Sequence, residues 1–162
     1  MNYLILDDTI LLYFAWSITI LSFFFCIPKS KLHLALLAFM FKQVLTWPLG
    51  LYVVDMGWIQ YPIRFFENAN QTSFTFEFFF SPIICAYFNI YFPEDKSPLV
   101  KLAYYALFCT ALTLSELFIL HHSNLIVYIH WNAYSTWLSL FITFYITRQF
   151  CLWFFQSYNK RS

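Results

Sequence analysis

Five apolar runs, each close to the ~20 residues needed to cross about 30 Å of hydrocarbon, leave this chain few folds to choose from. They cover residues 9–27, 33–54, 73–92, 97–120 and 131–155. Asp7, Asp8 and Thr9 supply N-cap chemistry before the first run, and Pro28, Lys29 and Lys31 close it. The second run holds Lys42 and Gln43 near its middle and Pro48 as an expected kink. The third carries Glu77 and Pro82. The fourth opens on Ser97-Pro98, a cap residue followed by proline at the first helical position, and contains Glu116. Acidic rather than basic residues precede the first run and no A-x-A site follows it, so it is expected to persist as a helix.

Composition closes off the alternatives. The chain is 61% apolar and 10% charged, whereas a soluble domain is about one-quarter charged. A net charge of +1 gives no field to attract nucleic acid. Cys26, Cys85, Cys109 and Cys151 all fall inside apolar runs without metal-type spacing. No linker is long enough to divide the chain, so residues 1–162 are expected to form a single transmembrane domain.

Lysine and arginine placement predicts orientation. With five spans, one side collects Lys29, Lys31, Lys96, Lys101, Lys160 and Arg161, with Arg148 near the end of the fifth span. The other side holds Arg64. The expected fold is an all-α five-helix transmembrane bundle in a cell membrane, with the N-terminus outside and the C-terminus cytoplasmic.

Helices in lipid associate through small residues and interhelical hydrogen bonds. Each run has such a stripe: Ala15, Thr19, Ser22 and Cys26; Ala35, Ala38, Lys42, Thr46 and Gly50; Ser73, Glu77, Ser81, Cys85 and Asn89; Ala106, Cys109, Thr113 and Glu116; Ser135, Ser139, Thr143 and Thr147. These stripes predict the inward faces. The segments WIQYPIRFF and HSNLIVYIHW are too short to span and suit the aromatic belt, as a lid or a re-entrant piece.

Ionisable groups at membrane depth are expensive and point to function. Lys42 lies near the midplane. Glu77 and Glu116 lie about one turn below the outer surface on antiparallel helices, at the level of His121, His122 and His130, with Asp55 and Arg64 above. Glu77, Glu116, Arg64, His121, His130 and Lys42 are therefore the candidate ligand-binding residues. The competing reading is a satisfied network in which Lys42 pairs with one glutamate and locks helix register. No H-x-x-x-H or E-x-x-H pair marks a metal site, and no G-x-S-x-G, P-loop or glycine-rich cradle is present. No catalytic residue, metal or cofactor is therefore expected.

The blocks GWIQYPIRFF, TSFTFEFFFSPIICAYFNIYFPEDKS and HHSNLIVYIHWNAYSTWLSLFITF resemble a family of small polytopic membrane proteins of spore-forming, Gram-positive bacteria. The resemblance covers residues 45–155. It rests on Tyr61, Pro62 and Arg64, on Glu77 among aromatics, on Glu116, and on the stretch from Asn124 to Trp131. It implies a multi-pass membrane protein and no particular activity.

Three functions fit these residues. One is binding, or help in transporting, a small polar ligand, ion or lipid headgroup at an outward-facing site. The others are a membrane enzyme acting on a lipid headgroup and a structural subunit of a membrane complex. Membrane lipids are the expected partners. Five helices offer no inverted-repeat pair, so transport would need a homo-oligomer or a partner membrane protein.

Overall fold

A computed structural model describes residues 8–66 and 68–159. Asp7, Lys160 and Arg161, used above, lie outside the described residues. The chain forms α1 (Asp8–Cys26), a short 3₁₀ turn (Lys29–Lys31), α2 (Leu32–Asp55), β1 (Ile59–Gln60), a π-helical segment (Phe74–Phe80), α3 (Ser81–Ile90), α4 (Pro98–His122), β2 (Val127–Tyr128) and α5 (Ala133–Asn159). Among the described residues, three helical stretches are long and apolar enough to cross a membrane: Lys29–Asp55, Pro98–His122 and Ala133–Ser157. The apolar helices Ile10–Phe23 and Phe74–Ile90 are shorter.

The small-residue stripes form the packed faces. Ala35, Ala38 and Lys42 of α2 are fully buried, and so are Cys85 of α3, Cys109 of α4 and Thr147 of α5. α2 packs against α3 and α5, α4 against α5, and α1 against the π-helical segment. The rings of Phe88 and Phe144 fill the space among α3, α4 and α5, with Leu112 and Leu140. The stripe expected on α1 breaks at its end, because Cys26 is exposed. Leu36, Met40, Val44, Leu107, Leu114, Phe118, Leu138 and Ile142 point outward, as a lipid-facing surface requires.

The third run is not one regular helix. Pro82 has no N–H, so it cannot serve Phe78 O in α register or Glu77 O in π register. The Ser81 N–H bonds back to Phe76 O, five residues earlier. Away from water each orphan carbonyl must find another donor. α2 supplies both: Gln43 Nε2 donates to Phe78 O at 2.7 Å, and Thr46 Oγ1 shares its one proton between Glu77 O and Lys42 O, each at 2.8 Å. Ser73 starts the segment, its hydroxyl accepting from Phe76 N at 3.2 Å. Ser97 stands at the N-cap of α4, but its side chain makes no capping bond.

The two aromatic loops pair with each other rather than lying separately at the interface. Ile59 faces Tyr128 and Gln60 faces Val127 in an antiparallel ribbon. Because β1 follows α2 and β2 follows α4, the ribbon closes one end of the bundle. Ile59, Tyr61, Leu125, Ile126 and Leu12 form a small core beneath it.

The proline explanation makes a prediction. Thr46→Val should destabilise the bundle by about 1 kcal/mol, the usual size of a membrane side-chain hydrogen bond. The loss should shrink in a Pro82→Ala background, where a backbone N–H replaces the lost donor. A double-mutant cycle measured by unfolding in mixed detergent micelles checks this; equal losses in the two backgrounds would contradict it.

Candidate functional site

Glu77 and Glu116 line one cavity of about 140 Å³ at the ribbon end of the bundle. Its walls come from Thr46, Gly50 and Val53 of α2, Phe76 and Ser81 around the proline break, and Thr136, Ser139 and Thr143 of α5. Ile59, Tyr61 and Trp131 cover the ribbon side. The expected convergence of the two carboxylates is what the structure shows.

The two carboxylates have different surroundings. Glu116 Oε1 accepts from the Tyr128 hydroxyl and from Thr136 Oγ1, the latter at 3.1 Å. Trp131 Nε1 donates to Thr136 Oγ1 at 2.8 Å and holds that hydroxyl in place. Glu116 is thus tied into a network spanning α4, β2 and α5. Glu77 Oε1 accepts one long bond from the Tyr61 hydroxyl, at 3.3 Å. Thr72 approaches the same carboxylate without hydrogen-bond geometry. Among the described residues, Glu77 Oε2 is buried without a hydrogen-bond partner, and so is Ser81 Oγ on the same wall. Burial, then the Glu77 and Glu116 charges, hold the Tyr61 phenol well above its ordinary value. Burial first, then Glu116, does the same for Tyr128. Both phenols therefore remain hydrogen-bond donors to the carboxylates across the physiological range.

Gly50 makes the room that Glu77 occupies. A Cβ built on Gly50 would collide with the Glu77 carboxylate. The glycine serves a close approach in the middle of α2, not a turn.

The remaining candidates fall into different places. Lys42 is fully buried and not lipid-facing, as its stripe position predicts. It pairs with neither glutamate: its Nζ donates to Thr143 Oγ1 and lies 4.4 Å from the Phe144 ring centre. Lys42 sits two turns before Gly50 on α2, about 12 Å along the axis, beyond reach of the carboxylates. Arg64 does not line the cavity. It donates to Tyr61 O at 2.7 Å and Asn70 O at 2.6 Å, and so braces the backbone that presents the Tyr61 phenol. His121 and His130 are exposed and do not join the site. His121 follows Glu116 by five residues, which places it about 140° round the helix. His122 is also exposed and stacks on Phe118 at 4.3 Å.

Tyr128, Trp131, Thr136 and Ser81 belong to the site and were not singled out for it by the sequence. Thr136 shares the buried face of Leu140, Thr143 and Thr147, a period that marks it once α5 is known to be helical. A second polar cluster, at the end away from the ribbon, was also missed. There the buried Arg148 pairs with Glu94, donates to Asn89 Oδ1 at 3.4 Å and stands 4.5 Å from the Phe92 ring centre. Among the described residues, no three His, Cys, Asp or Glu side chains converge as metal ligands.

No protein-family model matches the chain, and no curated protein or solved structure is significantly similar to it.

Gly50→Ala tests the geometry by sign. It should destabilise the protein by about 1–3 kcal/mol, as overpacking does. In a Glu77→Ala background the same change should be neutral or stabilising, because alanine is the better helix former. Detergent unfolding of the four proteins checks this; destabilisation of equal size in both backgrounds would place the Glu77 carboxylate elsewhere.

Proposed function

We propose that the protein crosses a cell membrane five times, with the ribbon end outside, and binds a small ammonium-type cation between Glu77 and Glu116. The carrying observation is Glu77 Oε2, a buried carboxylate oxygen without a hydrogen-bond partner among the described residues, on a side chain that lines the same cavity as a second carboxylate. Two carboxylates in a site of low polarity favour a positive charge between them. Glu116, whose Oε1 accepts from both Tyr128 and Thr136, supplies charge. Glu77 and Ser81 supply free acceptors. The faces of Tyr61, Phe76 and Trp131 around the cavity suit an organic cation. The volume admits a group of a few heavy atoms, an amine free in solution or the head of a lipid.

Five crossings are supported by the ends of α1. At the ribbon end, Asp8 Oδ1 accepts from Asn124 N at 3.2 Å. At the other end, Cys26 O accepts from the Tyr91 hydroxyl at 3.1 Å. The helix therefore runs the height of the bundle although it is shorter than α2, α4 and α5. The end away from the ribbon carries Lys29, Lys31, Lys96, Lys101 and Arg148, against Arg64 at the ribbon, and this supports a cytoplasmic C-terminus. In intact cells Ser162→Cys, made in a Cys26→Ser background, should resist an impermeant thiol reagent and react after permeabilisation. Labelling before permeabilisation would reverse the orientation.

Binding is tested by calorimetry in detergent with ethanolamine, tetramethylammonium and, as a neutral control, ethylene glycol. A second arm offers mixed micelles containing an amine-headed phospholipid. Glu77→Gln should weaken binding of the cations by about 10- to 100-fold, the range of a lost charged hydrogen bond. Ethylene glycol should not bind. Preference for the phospholipid over free ethanolamine would identify a headgroup as the source. Equal cation affinity in the wild type and the Glu77→Gln, Glu116→Gln double variant would end the proposal.

A further inference from the structure

The carboxylate cavity has an apolar neighbour. Phe76 lines both, and on its other side a second cavity of about 130 Å³ lies between α1 and α4. Ala15 of α1, Phe80, and Ser115 and Ile119 of α4 wall it, and Leu125 and Ile126 close it toward the ribbon. That end is pinned, because Asp8 Oδ1 accepts from Asn124 N at 3.2 Å. The other end continues: Phe80 and Ser115 also line a shallow groove that follows α4 past Ala111 to Leu107, with Ile84 of α3 on its far side. The crevice has a packing origin. α4 packs on α5, whereas α1 is held to the π-helical segment, where Trp16 Nε1 donates to Thr75 Oγ1 at 3.0 Å and the indole stacks on Phe79. Ala111 and Ser115 are small and exposed, so α4 does not fill the gap from its own side.

Adjacent residues face the two cavities. On α4, Glu116 lines the charged one and Ser115 the apolar one; across Phe76, Glu77 lines the first and Thr75 the second. From Ile119 to Leu107 the crevice follows α4 for about 18 Å at 1.5 Å per residue. It starts near the ribbon end and runs along the helix, and one leaflet of hydrocarbon is about 15 Å deep, half of the whole core. An anionic cavity for a few heavy atoms thus stands beside an apolar crevice one leaflet long.

We propose that the crevice takes one acyl chain of an outer-leaflet lipid whose head ends in an ammonium, and that this head occupies the carboxylate cavity. The proposal rests on the cation site above and names its ligand as a membrane lipid rather than a free amine. The link between head and chain passes Phe76, a half-buried side chain. Ser73 and Thr75 line the crevice beside it. Their hydroxyls accept from Phe76 N and Trp16 Nε1 and keep a proton each for a phosphate oxygen. Any lipid chain can fill an apolar crevice, but only a cationic head compensates Glu77 and Glu116. The chain therefore sets the route, sideways from the bilayer, and the head sets the preference.

The test uses purified full-length protein in nanodiscs of phosphatidylglycerol, which has no ammonium. A trace of phosphatidylethanolamine with a diazirine midway along one chain is added, and the cross-links formed on illumination are mapped by mass spectrometry. They should fall within residues 11–15 of α1 and 107–119 of α4, and excess unlabelled phosphatidylethanolamine should remove them. The same probe with a phosphoglycerol head should label the crevice about tenfold less. Glu77→Gln should bring the two probes to equality. Ser115→Phe, which fills the crevice, should cut labelling by phosphatidylethanolamine severalfold while free ethanolamine still binds in calorimetry. Ala111→Phe replaces it should that variant fail to fold, with ethanolamine binding as the check on folding. Equal labelling of the crevice by both probes in the wild type would mean ordinary boundary lipid and overturn the proposal; ethanolamine binding in the same protein would leave the cation site standing. A preference for phosphatidylethanolamine that survives Glu77→Gln would also overturn it, because the head would then be held elsewhere. Loss of both the head preference and ethanolamine binding would end both readings.

Discussion

One missing N–H organises this bundle. Pro82, with the register change by which Ser81 N bonds Phe76 O, leaves the carbonyls of Glu77 and Phe78 without helical donors, in surroundings where water cannot replace them. Gln43 and Thr46 answer from α2, so the closest helix pair is joined through backbone repair as well as packing. The consequences run along a single stripe of α2. Ala35 and Ala38 let the helices approach on one side of the repair, and Gly50 leaves space for a carboxylate on the other. The wider turn of the π segment carries Glu77 into that space. The break in the helix and the site thus have one origin.

The ribbon imposes a second constraint. Two residues from each loop pair across the end of the bundle. This brings Tyr61 to Glu77 and Tyr128 to Glu116, one phenol for each carboxylate. The anchoring is unequal. Tyr128 and Thr136 both bond Glu116 Oε1, with Trp131 holding Thr136, whereas Tyr61 holds Glu77 Oε1 by one long bond and Thr72 approaches that carboxylate without hydrogen-bond geometry. A purely structural pair would gain nothing from leaving one member under-satisfied, since a buried acceptor without a partner costs about 1–3 kcal/mol. On the proposed reading, Glu116 sets the field and Glu77 meets the ligand.

Much of this was legible in the residues, and what was not has physical causes. Small residues recurring at helical spacing marked the buried faces of α2 to α5, because only they allow close approach in lipid. The depth of Glu77 and Glu116 followed from rise per residue, so their meeting could be anticipated. The histidines could not be placed the same way: His130 lies in a loop, where no period applies, and His121 sits round the helix from Glu116. A two-residue strand carries too little alternation to be read, so the ribbon went unseen. Pro82 was visible as a break, but its cure depended on which α2 side chains lay opposite. Arg148 read as an inner-surface charge because its partner, Glu94, comes from a distant loop.

Charge balance along the bundle ties the cavity to the rest of the interior. At the far end Arg148 and Glu94 cancel. At the centre Lys42 stands without a carboxylate partner, and at the ribbon end two carboxylates stand without a cation. Taken as ionised groups, Lys42, Glu77 and Glu116 leave one negative charge uncompensated, and it falls at the cavity. Bringing a single positive charge there, as a proton or as a small ammonium ion, restores neutrality. A divalent ion would overshoot unless Lys42 gave up its own proton. On the proposed reading, a proton and a small cation compete for the same place.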